Sequence, residues 1–531
     1  MDLPPPSSRA DRPIRRPGQR RTPSMSSRSA LPAACGILAA ALGTAAAHLV
    51  AALTSPASSP VLAVGSQVID ATPTPVKEWA VGTFGTADKP ILIGSVAVVS
   101  LLLAAVAGAV RPRSRLASTL LLLLLTGLAG AAAVLRPTAD GLAWLPALVA
   151  AVIGVLTLDL LVARVLPSGF AHADPTHPTR RRIVALGGTG AAALAIGGTG
   201  QALVARSAPP TLTLPRPARP LPALPKGVDV GKAGVSPFVT ANADFYRIDT
   251  ALLAPSVDPG EWSLTIDGDV PDGFSVDIDE LLALPMVERD ITLNCVSNEV
   301  GGPYIGHARW LGVPTRELLA RAGLDEDPKD PDLQVLSTST DGMTISTPLS
   351  ALLDYRDALV AVGMNGSPLP REHGFPARLV TPGLYGFVGA TKWLTKMTVT
   401  RYDAASAYWT DRDWATDGRV RTQARIDTPR ALRRIPPGRT VIGGVAWAQG
   451  RGIERVDVRV DDGEWRRATL GTEANIVSWR QWFLPWDATP GRHDITVRAT
   501  DGTGEVQTRQ EATPFPSGAT GWHSIAVTVT D

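Results

Sequence analysis

The chain has 531 residues, and its 51 Lys and Arg residues nearly balance its 49 Asp and Glu residues, which leaves a formal net charge of +2 at neutral pH. Such a small net charge predicts no nucleic-acid partner. The length exceeds what one hydrophobic core serves, and a mean hydropathy of +0.10 with 19% charged residues indicates a chain that lies partly in a membrane.

Five apolar runs in the N-terminal part approach the ~20 residues that a bilayer span requires. They cover residues 31–53, 90–110, 116–135, 142–166 and, as a weaker run rich in Gly and Ala, 183–205. The sequence therefore predicts a basic cytoplasmic arm over residues 1–30, followed by an all-α membrane region over residues 31–205 with about five spans.

The arginines indicate how the spans are oriented, because short cytoplasmic loops carry the excess of positive charge. The loops 54–89 and 136–141 are nearly free of basic residues. The basic clusters lie elsewhere: Arg9, Arg12, Arg15, Arg16, Arg20, Arg21 and Arg28 in the arm, Arg111, Arg113 and Arg115 after the second run, and Arg180, Arg181 and Arg182 before the fifth. All three basic clusters lie on one side of the membrane only if the chain crosses it five times. This predicts a multi-pass protein of the cell membrane, with a cytoplasmic N-terminus and an extracytoplasmic region after about residue 206.

The segment from Thr179 to Ala185 places three arginines before a mildly apolar stretch, and it also resembles a twin-arginine export signal inside the chain. The alternative is that these arginines only anchor the fifth span. The sequence leaves open whether that span is cleaved or retained.

Residues 206–236 are rich in proline, which favours an extended polyproline conformation and supplies no hydrophobic core. The prolines are Pro209, Pro210, Pro215, Pro217, Pro220, Pro222 and Pro225. We predict a stalk here, with folded domains after it.

Residues 237–432 combine short strand patterns with single helical ones. The strand patterns are 261–268, 334–338 and 343–347, the last two joined around Asp341-Gly342, and residues 277–284 have the spacing of a small helix with an acidic start. This mixture predicts an α+β domain.

Residues 433–531 have an all-β pattern. Residues 455–460 alternate strictly and precede the turn pair Asp462-Gly463, and residues 493–499 and 524–529 alternate in the same way. The economical interpretation is a small Ig-like β-sandwich.

Cys295 is the only cysteine outside the apolar runs, since the second cysteine, Cys35, lies within the first run. A disulfide within the extracytoplasmic part is therefore excluded. The residues alone leave three interpretations open, which are a buried inert thiol, a reactive thiol and a metal ligand.

Three segments of the α+β region carry a resemblance to a known family: Asn294-Cys295, residues 368–380 (PLPREHGFPARLV) and residues 385–394 (YGFVGATKWL). They resemble the molybdopterin-binding core of the sulfite oxidase family. Residues 443–452 and Gly521-Trp522-His523 are similar to that family's Ig-like molybdenum-cofactor dimerisation domain. The resemblance covers roughly residues 235–531, in family order, and it points to a membrane-anchored bacterial type.

The resemblance implies that the Cys295 thiolate binds molybdenum beside the two sulfurs of one pterin dithiolene, as suits a soft thiolate ligand. It also implies that the cofactor, molybdenum-molybdopterin, is held by Tyr246, Arg247, Thr338, His373, Arg378, Gly389, Ala390, Thr391 and Lys392. Arg378 and Lys392 offer charge-assisted donors to phosphate, and Gly389 lets backbone amides approach an anion closely.

The chain departs from the sulfite-oxidising pattern in two places. Cys295 is followed by Val-Ser-Asn-Glu without a basic residue, and Val362 stands where those members carry Tyr. A Glu299 near the metal would repel a dianion, although Arg247 and Arg371 offer positive charge. We therefore expect oxygen-atom transfer on a small, neutral sulfur or nitrogen oxo compound, with oxidation of sulfite to sulfate as the alternative.

Asn298, Tyr304 and His307 are the candidate pocket residues around the metal ligand, with His307 as a general acid. The alternative is that Tyr304 and His307 only pack their loop against Trp310.

The membrane region offers little for carrying electrons. His48 is the only histidine in any predicted span, since His172 and His177 lie in a loop, and the chain has no Cys-x-x-Cys-His motif. We therefore predict no haem, spans that only anchor, and a separate redox partner. The resemblance adds a homodimer through the C-terminal domain. A cell-surface Ig-like binding protein and a transporter are the alternatives from other functional classes.

Overall fold

The structure is a computed structural model, which describes residues 25–137, 139–165, 180–206, 212–324, 326 and 329–530. The basic arm up to residue 24, His172 and His177 lie outside the described residues. The chain forms two compact units. The first comprises residues 1–67, 86–135 and 140–204, and the second comprises residues 68–85, 136–139 and 205–531.

The N-terminal part is helical, as predicted. Its helices are α1 (Met25–Leu53), α2 (Pro60–Ala71), α3 (Thr74–Phe84), α4 (Asp88–Val110), α5 (Arg115–Val134), α6 (Leu145–Val165) and α7 (Arg180–Arg206). Five of the described helices, α1 and α4 to α7, are long and apolar enough by length and composition to cross a membrane. The short helices α2 and α3 occupy the 54–89 loop, where the sequence analysis predicted no helix.

Small residues let the helices of the first unit approach closely. A Cβ on Gly36 of α1 would lie 2.9 Å from the backbone of Gly108 in α4, and a Cβ on Gly43 would lie 2.7 Å from the carbonyl oxygen of Ala150 in α6. The one acidic residue of α6, Asp159, is neutralised by Arg111 and by Arg115, the latter at 3.1 Å. The small residues of these helices thus serve helix packing.

Residues 212–236 are not a free stalk, in contrast to the prediction. The amide of Ala218 donates to the carbonyl of Met286, and the amide of Leu221 donates to Glu288. Val228 is 2% exposed and belongs to a core cluster with Phe238. An extended proline-rich segment has unpaired backbone groups, and here it satisfies several of them against the folded domain.

The α+β domain consists of two sheets with short helices between their strands. Its strands are β1 (Ser263–Gly268), β2 (Phe274–Asp277), β3 (Val287–Asn294), β4 (Ile305–Pro314), β5 (Leu333–Ser339), β6 (Thr344–Pro348), β7 (Leu359–Met364), β8 (Ser367–Pro368), β9 (Arg378–Val380) and β10 (Leu394–Arg401). Its helices are α8 (Ile278–Ala283), α9 (Thr315–Arg321), α10 (Leu349–Leu353) and α11 (Gly386–Gly389). Asp277 and Glu280 form a capping box at the start of α8, which explains the predicted acidic start.

The strands pair in the orders β2-β1-β10-β5-β6 and β3-β4-β7-β8, and β9 pairs with β7. Antiparallel pairing of β3 with β4 brings the two ends of the 295–304 loop together. Cys295 therefore directly follows the carboxyl end of β3, as the first residue of this loop.

The C-terminal region is all-β, as predicted. Its strands are β11 (Gln423–Thr428), β12 (Arg434–Ile435), β13 (Gly438–Trp447), β14 (Ile453–Val460), β15 (Arg466–Arg467), β16 (Thr469–Leu470), β17 (Arg480–Ala488), β18 (Gly491–Asp501) and β19 (His523–Val529). They form sheets in the orders β11-β13-β17-β16 and β12-β19-β18-β14-β15, which share one apolar core. Strand β11 joins the first sheet ahead of the predicted boundary at 432/433. Its likeness to an Ig domain stays a prediction.

The segment Val68–Gly85, between α1 and α4 in sequence, belongs to the same compact unit as the two C-terminal domains. The Lys77 ammonium donates to the Tyr408 hydroxyl at 3.1 Å, and that hydroxyl donates to the Asp70 carboxylate at 3.3 Å. A part of the predicted membrane region thus contacts the α+β domain.

Gly301, in the loop after Cys295, contacts the C-terminal domain and gives a test of this arrangement. Its φ is +80°, and a Cβ there would lie 2.2 Å from Nε2 of His523, whose Nδ1 accepts from the amide of Ile426. We expect Gly301→Ala to lower the melting temperature and the cofactor content. Gly366→Ala is the matched control, because Gly366 has a φ of +77° and open space around it.

In both variants an alanine must adopt a left-handed backbone conformation, which costs about 1 kcal/mol. The variants therefore differ only in the contact of the new Cβ with His523. Differential scanning fluorimetry compares them. Equal losses for the two variants would contradict a close fit between the loop and His523.

Candidate molybdenum cofactor site

A cavity in the α+β domain contains the thiol of Cys295. It lies among the carboxyl end of β3, the 245–250 segment, α11 and the loop that follows β10. The lining residues are Phe245, Tyr246, Ile248, Asp249, Thr250, Cys295, Val296, Ser297, Ser339, Asp341, Met343, Ile345, His373, Arg378, Gly386, Phe387, Ala390, Thr391, Lys392, Trp393, Trp409 and Trp414.

The loop after β3 holds Cys295 through its own backbone. The amide of Cys295 donates to the carbonyl of Tyr304 at 3.0 Å, and the amide of Asn298 donates to the carbonyl of Cys295 at 3.1 Å. Burial raises the pKa of the Cys295 thiol, whereas hydrogen bonds from Ser297 and the charge of Lys392 oppose that rise. A positive partner is therefore needed to hold Cys295 as a thiolate, and a metal ion supplies one.

Arg378 is a buried cation at the cavity wall. It is 6% exposed, its Nη1 donates to the carbonyl of His373 at 3.0 Å, and its guanidinium stacks on Trp310 at 5.1 Å. Its Nε has no hydrogen-bond partner within the described residues. Burial lowers the pKa of Arg378 to about 10. The guanidinium is therefore charged at neutral pH and only partly compensated, as an anion site requires.

Lys392 is the second cation of the cavity. Its Nζ lies 2.6 Å from the Asp249 carboxylate and donates to the carbonyl of Glu372 at 3.2 Å. Burial lowers the pKa of Lys392 to about 8, although Asp249 opposes the shift. Asp249 also pairs with Arg247 at 3.0 Å. Arg247 thus contacts the cavity through Asp249 and does not line it.

His373 and Tyr246 are neutral at physiological pH. Burial lowers the pKa of His373 to about 4, and its Nε2 lies 2.9 Å from the carbonyl oxygen of Asn242, which assigns the proton to Nε2. Burial raises the pKa of Tyr246, with a further contribution from Cys295. Both side chains therefore offer hydrogen bonds without adding charge.

The structure brings together most of the residues that the family resemblance implies. Those in the cavity lining are Tyr246, Cys295, His373, Arg378, Ala390, Thr391 and Lys392. Thr338 and Gly389 are outside the lining. Successive residues of a strand point to opposite faces, so the cavity position on β5 belongs to Ser339. Gly389 allows α11 to approach Thr381 and Leu384, because a Cβ there would lie 3.0 Å from both side chains.

Asn298, Tyr304 and His307 do not line the cavity. The Asn298 side chain accepts from the amide of Tyr304 at 2.8 Å and so closes the loop. His307 is fully buried in β4, where Nδ1 lies 2.9 Å from the Thr292 hydroxyl and the ring packs on Phe238 at 4.3 Å. Burial lowers the pKa of His307 to about 3, which disfavours a proton-donating imidazolium. These neighbours support a structural role for His307.

An aromatic wall, defined by Phe387, Trp409 and Trp414, was missed in the sequence. Trp414 packs on Trp409 at 5.8 Å and on Phe387 at 5.5 Å. The two tryptophans come from the segment between β10 and β11, which has no periodic pattern. The clustering of aromatic residues there was the only available signal.

The residues fit a molybdenum-molybdopterin group. A buried guanidinium with an unpartnered Nε, a buried ammonium and neutral donors suit a phosphate and a pterin, and the Cys295 thiol is the soft ligand that molybdenum accepts. Oxygen-rich metal sites, by contrast, use several carboxylates.

Comparison with known proteins gives the same assignment. The sequence matches the family models described as "Oxidoreductase molybdopterin binding domain", over residues 251–409, and "Mo-co oxidoreductase dimerisation domain", over residues 419–530. The two matches define a class, that of molybdopterin-binding oxidoreductases with a dimerisation domain.

Individual relatives identify the family within this class. The mitochondrial sulfite oxidase of Homo sapiens is 31% identical over 316 residues, which are 51% of this chain and 57% of that protein. The sulfite oxidase of Gallus gallus is 30% identical over 315 residues, 51% of this chain and 68% of that protein. This chain belongs to the sulfite oxidase family of molybdopterin-dependent oxidoreductases. The sulfane dehydrogenase SoxCD of Paracoccus pantotrophus, a solved structure, is similar with a TM-score of 0.47 and 23% identity, covering 56% of this chain and 85% of that chain.

The role of Arg378 leads to a test on cofactor content. We expect Arg378→Gln to lose most of the bound pterin and molybdenum, because an anion on the cofactor would then face only Lys392. Metal analysis and pterin fluorescence measure the loss. Arg356→Gln, which removes an arginine paired with Asp354 outside this cavity, is the control and should keep both. Full cofactor content in Arg378→Gln would contradict the assignment.

The burial of His307 leads to a test on pH dependence. Its pKa in the folded protein, about 3, lies below the ordinary value near 6.5, so its stabilising contribution is present above pH 6.5 and is lost as the pH falls toward 3. We expect His307→Gln to lower stability by about 1 kcal/mol at neutral pH through the Thr292 contact and to weaken the acid sensitivity of unfolding.

The pH profile of kcat/KM should keep its shape in His307→Gln. Disappearance of a limb with an apparent pKa between 6 and 7 would restore the general-acid role that the sequence suggested.

Proposed function

We propose that the protein is a membrane-anchored molybdenum-molybdopterin oxidoreductase that transfers an oxygen atom to or from a small, neutral sulfur or nitrogen oxo compound. When bound, the group supplies the centre at which the oxygen atom is exchanged. Cys295 would be its protein ligand, and Arg378, Lys392, His373 and Tyr246 would hold the pterin and its phosphate.

The charge balance of the cavity carries the proposal. Two cations, Arg378 and Lys392, and two carboxylates, Asp249 and Asp341, lie in the same lining, and Asp249 pairs with Lys392. The cofactor phosphate would occupy the positive charge that these two cations offer. The protein lining then leaves no further side-chain cation for a dianionic substrate, whereas a neutral oxo compound needs none.

The two arginines that the sequence offered as positive charge for sulfite have other partners. Arg247 pairs with Asp249, and Arg371 donates to the backbone carbonyls of Ala254 and Pro255. Neither side chain lines the cavity. Glu299 is exposed and also outside the lining, so the preference rests on missing positive charge and not on repulsion by Glu299.

Val362, which stands where sulfite-oxidising members carry Tyr, does not bear on the choice of substrate. Val362 lies in β7, is fully buried in the core of the α+β domain and does not line the cavity. The residue types that do line the remaining wall are aromatic and apolar. They favour a substrate with an apolar substituent.

Sulfite oxidation is the second candidate function, because the relatives named above are sulfite oxidases. The two candidates differ in substrate charge and in the direction of electron flow, so one preparation distinguishes them.

The five spans and the extracytoplasmic location are supported by the contacts of Lys77 and Asp70 with Tyr408. These contacts require the loop after the first span and the α+β domain to share one side of the membrane. An even number of crossings between them satisfies this, which supports α7 as a span and agrees with the distribution of arginines.

The partners that we propose are a separate redox protein for electrons and a second copy of the chain. The dimerisation domain supports the homodimer. Electron transfer through a haem in the membrane region is not part of the proposal, because His48, the histidine of the described spans, is 3.1 Å from Ser59 and has no second histidine facing it among those helices.

The experiment that tests the substrate is a reductant-coupled screen of sulfoxides and N-oxides, run beside sulfite oxidation on one preparation of the full chain. We expect turnover with at least one sulfoxide or N-oxide and little with sulfite. Activity with sulfite alone would overturn the preference for a neutral substrate.

The role of Cys295 is tested by substitution. We expect Cys295→Ser to keep the pterin, which other residues hold, and to lose more than about 100-fold in kcat because the thiolate ligand is removed. Cys35→Ala, at the buried cysteine of α1, is the control and should retain full activity. A Cys295→Ser variant with normal turnover would exclude Cys295 as the ligand.

A further inference from the structure

Two residues outside the catalytic domains reach the wall of the cavity through a short chain of contacts. They are Asp70, at the end of α2, and Lys77, in α3. Both lie in the segment Val68–Gly85, which belongs to the compact unit of the α+β domain. The sequence predicted only an anchoring role for the membrane region, so these contacts were not expected.

Tyr408 is the residue that receives them. Its hydroxyl accepts from Lys77 at 3.1 Å and donates to Asp70 at 3.3 Å. Arg412 stacks on the Tyr408 ring at 3.6 Å and donates to the backbone carbonyl of Asp70 at 3.3 Å. The segment therefore holds Tyr408 from two directions, with a second attachment through Arg412.

Tyr408 in turn fixes the aromatic wall. Its ring lies edge-on to Trp409 at 5.0 Å, and its amide donates to the Thr344 hydroxyl at 3.1 Å. Trp409 packs on Trp414, and both line the cavity together with Met343 and Ile345, the neighbours of Thr344. A displacement of Tyr408 would thus move the wall that a substrate contacts, without touching Cys295.

We propose that Asp70 and Lys77 act as positioning residues for substrate binding, because they clamp Tyr408 and so set the place of the Trp409–Trp414 wall. The membrane region then contributes to substrate affinity as well as to anchoring. The proposal rests on the proposed function for its choice of substrate, and the clamp itself is argued from contacts that do not depend on that choice.

The clamp makes a prediction that separates binding from chemistry. Tyr408→Phe removes both hydroxyl contacts and keeps the ring against Trp409 and Arg412. We expect it to raise KM for methyl phenyl sulfoxide by about threefold to tenfold, the effect of one or two hydrogen bonds, with kcat within about twofold. Dimethyl sulfoxide, which lacks the ring, should show a smaller change.

Lys77→Met should act in the same direction, and the double variant Lys77→Met/Tyr408→Phe should add little to either single variant, because both remove the same contact. Tyr355→Phe is the matched control. Tyr355 is 90% exposed, carries a stacked arginine, Arg316, at 5.4 Å and lies outside the cavity.

Hydrogen exchange of the full-length protein gives a readout that needs no turnover. We expect faster exchange in Tyr408→Phe both in the segment Val68–Gly85 and in residues 402–417, at unchanged molybdenum and pterin content. Faster exchange in only one of the two segments would overturn the clamp.

The kinetic and exchange results separate the two proposals. If the wild type acts on sulfite alone, the proposed substrate class fails, and the clamp is still tested by exchange. If the wild type reduces sulfoxides but Tyr408→Phe and Lys77→Met leave KM and exchange unchanged, the clamp fails and the proposed function stands. A parallel fall of kcat, cofactor content and stability in both variants would assign the contacts to folding and would also overturn the positioning role.

Discussion

The central constraint on the α+β domain is the burial of two cations, Arg378 and Lys392, around one cavity. Removing a charge from water is costly unless it is paired or hydrogen-bonded. Asp249 compensates Lys392, whereas Arg378 has only a carbonyl and an aromatic face within the described residues and keeps its Nε unpartnered. The protein thus retains an incompletely satisfied positive site that an anionic cofactor completes. The neutral state of His373 and Tyr246 follows from the same burial.

Much of the site was predictable because its residues lie in short continuous motifs. Arg378, Lys392 and His373 belong to two segments that the family resemblance covers. The fold places these segments, which include β9, α11 and the loop before β10, around one cavity. The five long apolar helices were predictable for a simpler reason, which is that each comes from a continuous apolar run of about 20 residues. Strand patterns with turn pairs predicted β5, β6 and β14.

The rest of the site and fold depends on strand register and on contacts between residues far apart in sequence, which no local pattern shows. The choice between Thr338 and Ser339 is set by the face of β5, a matter of register against β10. His307 was predicted as a pocket residue and general acid, but pairing of β3 with β4 places it beside Thr292 and Phe238. Trp409 and Trp414 come from an irregular segment, and the contacts of Tyr408 with Asp70 and Lys77 join residues more than 300 positions apart. The proline-rich segment 212–236 reads as a linker and yet pairs with the folded domain.

The aromatic wall and Cys295, the proposed metal ligand, come from different parts of the chain, so the proposed substrate preference can change without loss of the cofactor. Under the proposed function, this separation lets a member of the sulfite oxidase family keep Cys295 and Arg378 while the described cavity lining holds no further cation besides Lys392. The most direct test of the account is X-ray absorption spectroscopy at the molybdenum edge of wild-type protein and of Cys295→Ser. We predict a sulfur shell from Cys295 and the pterin dithiolene in the wild type, smaller by one sulfur in the variant. An identical sulfur shell in both proteins would contradict it.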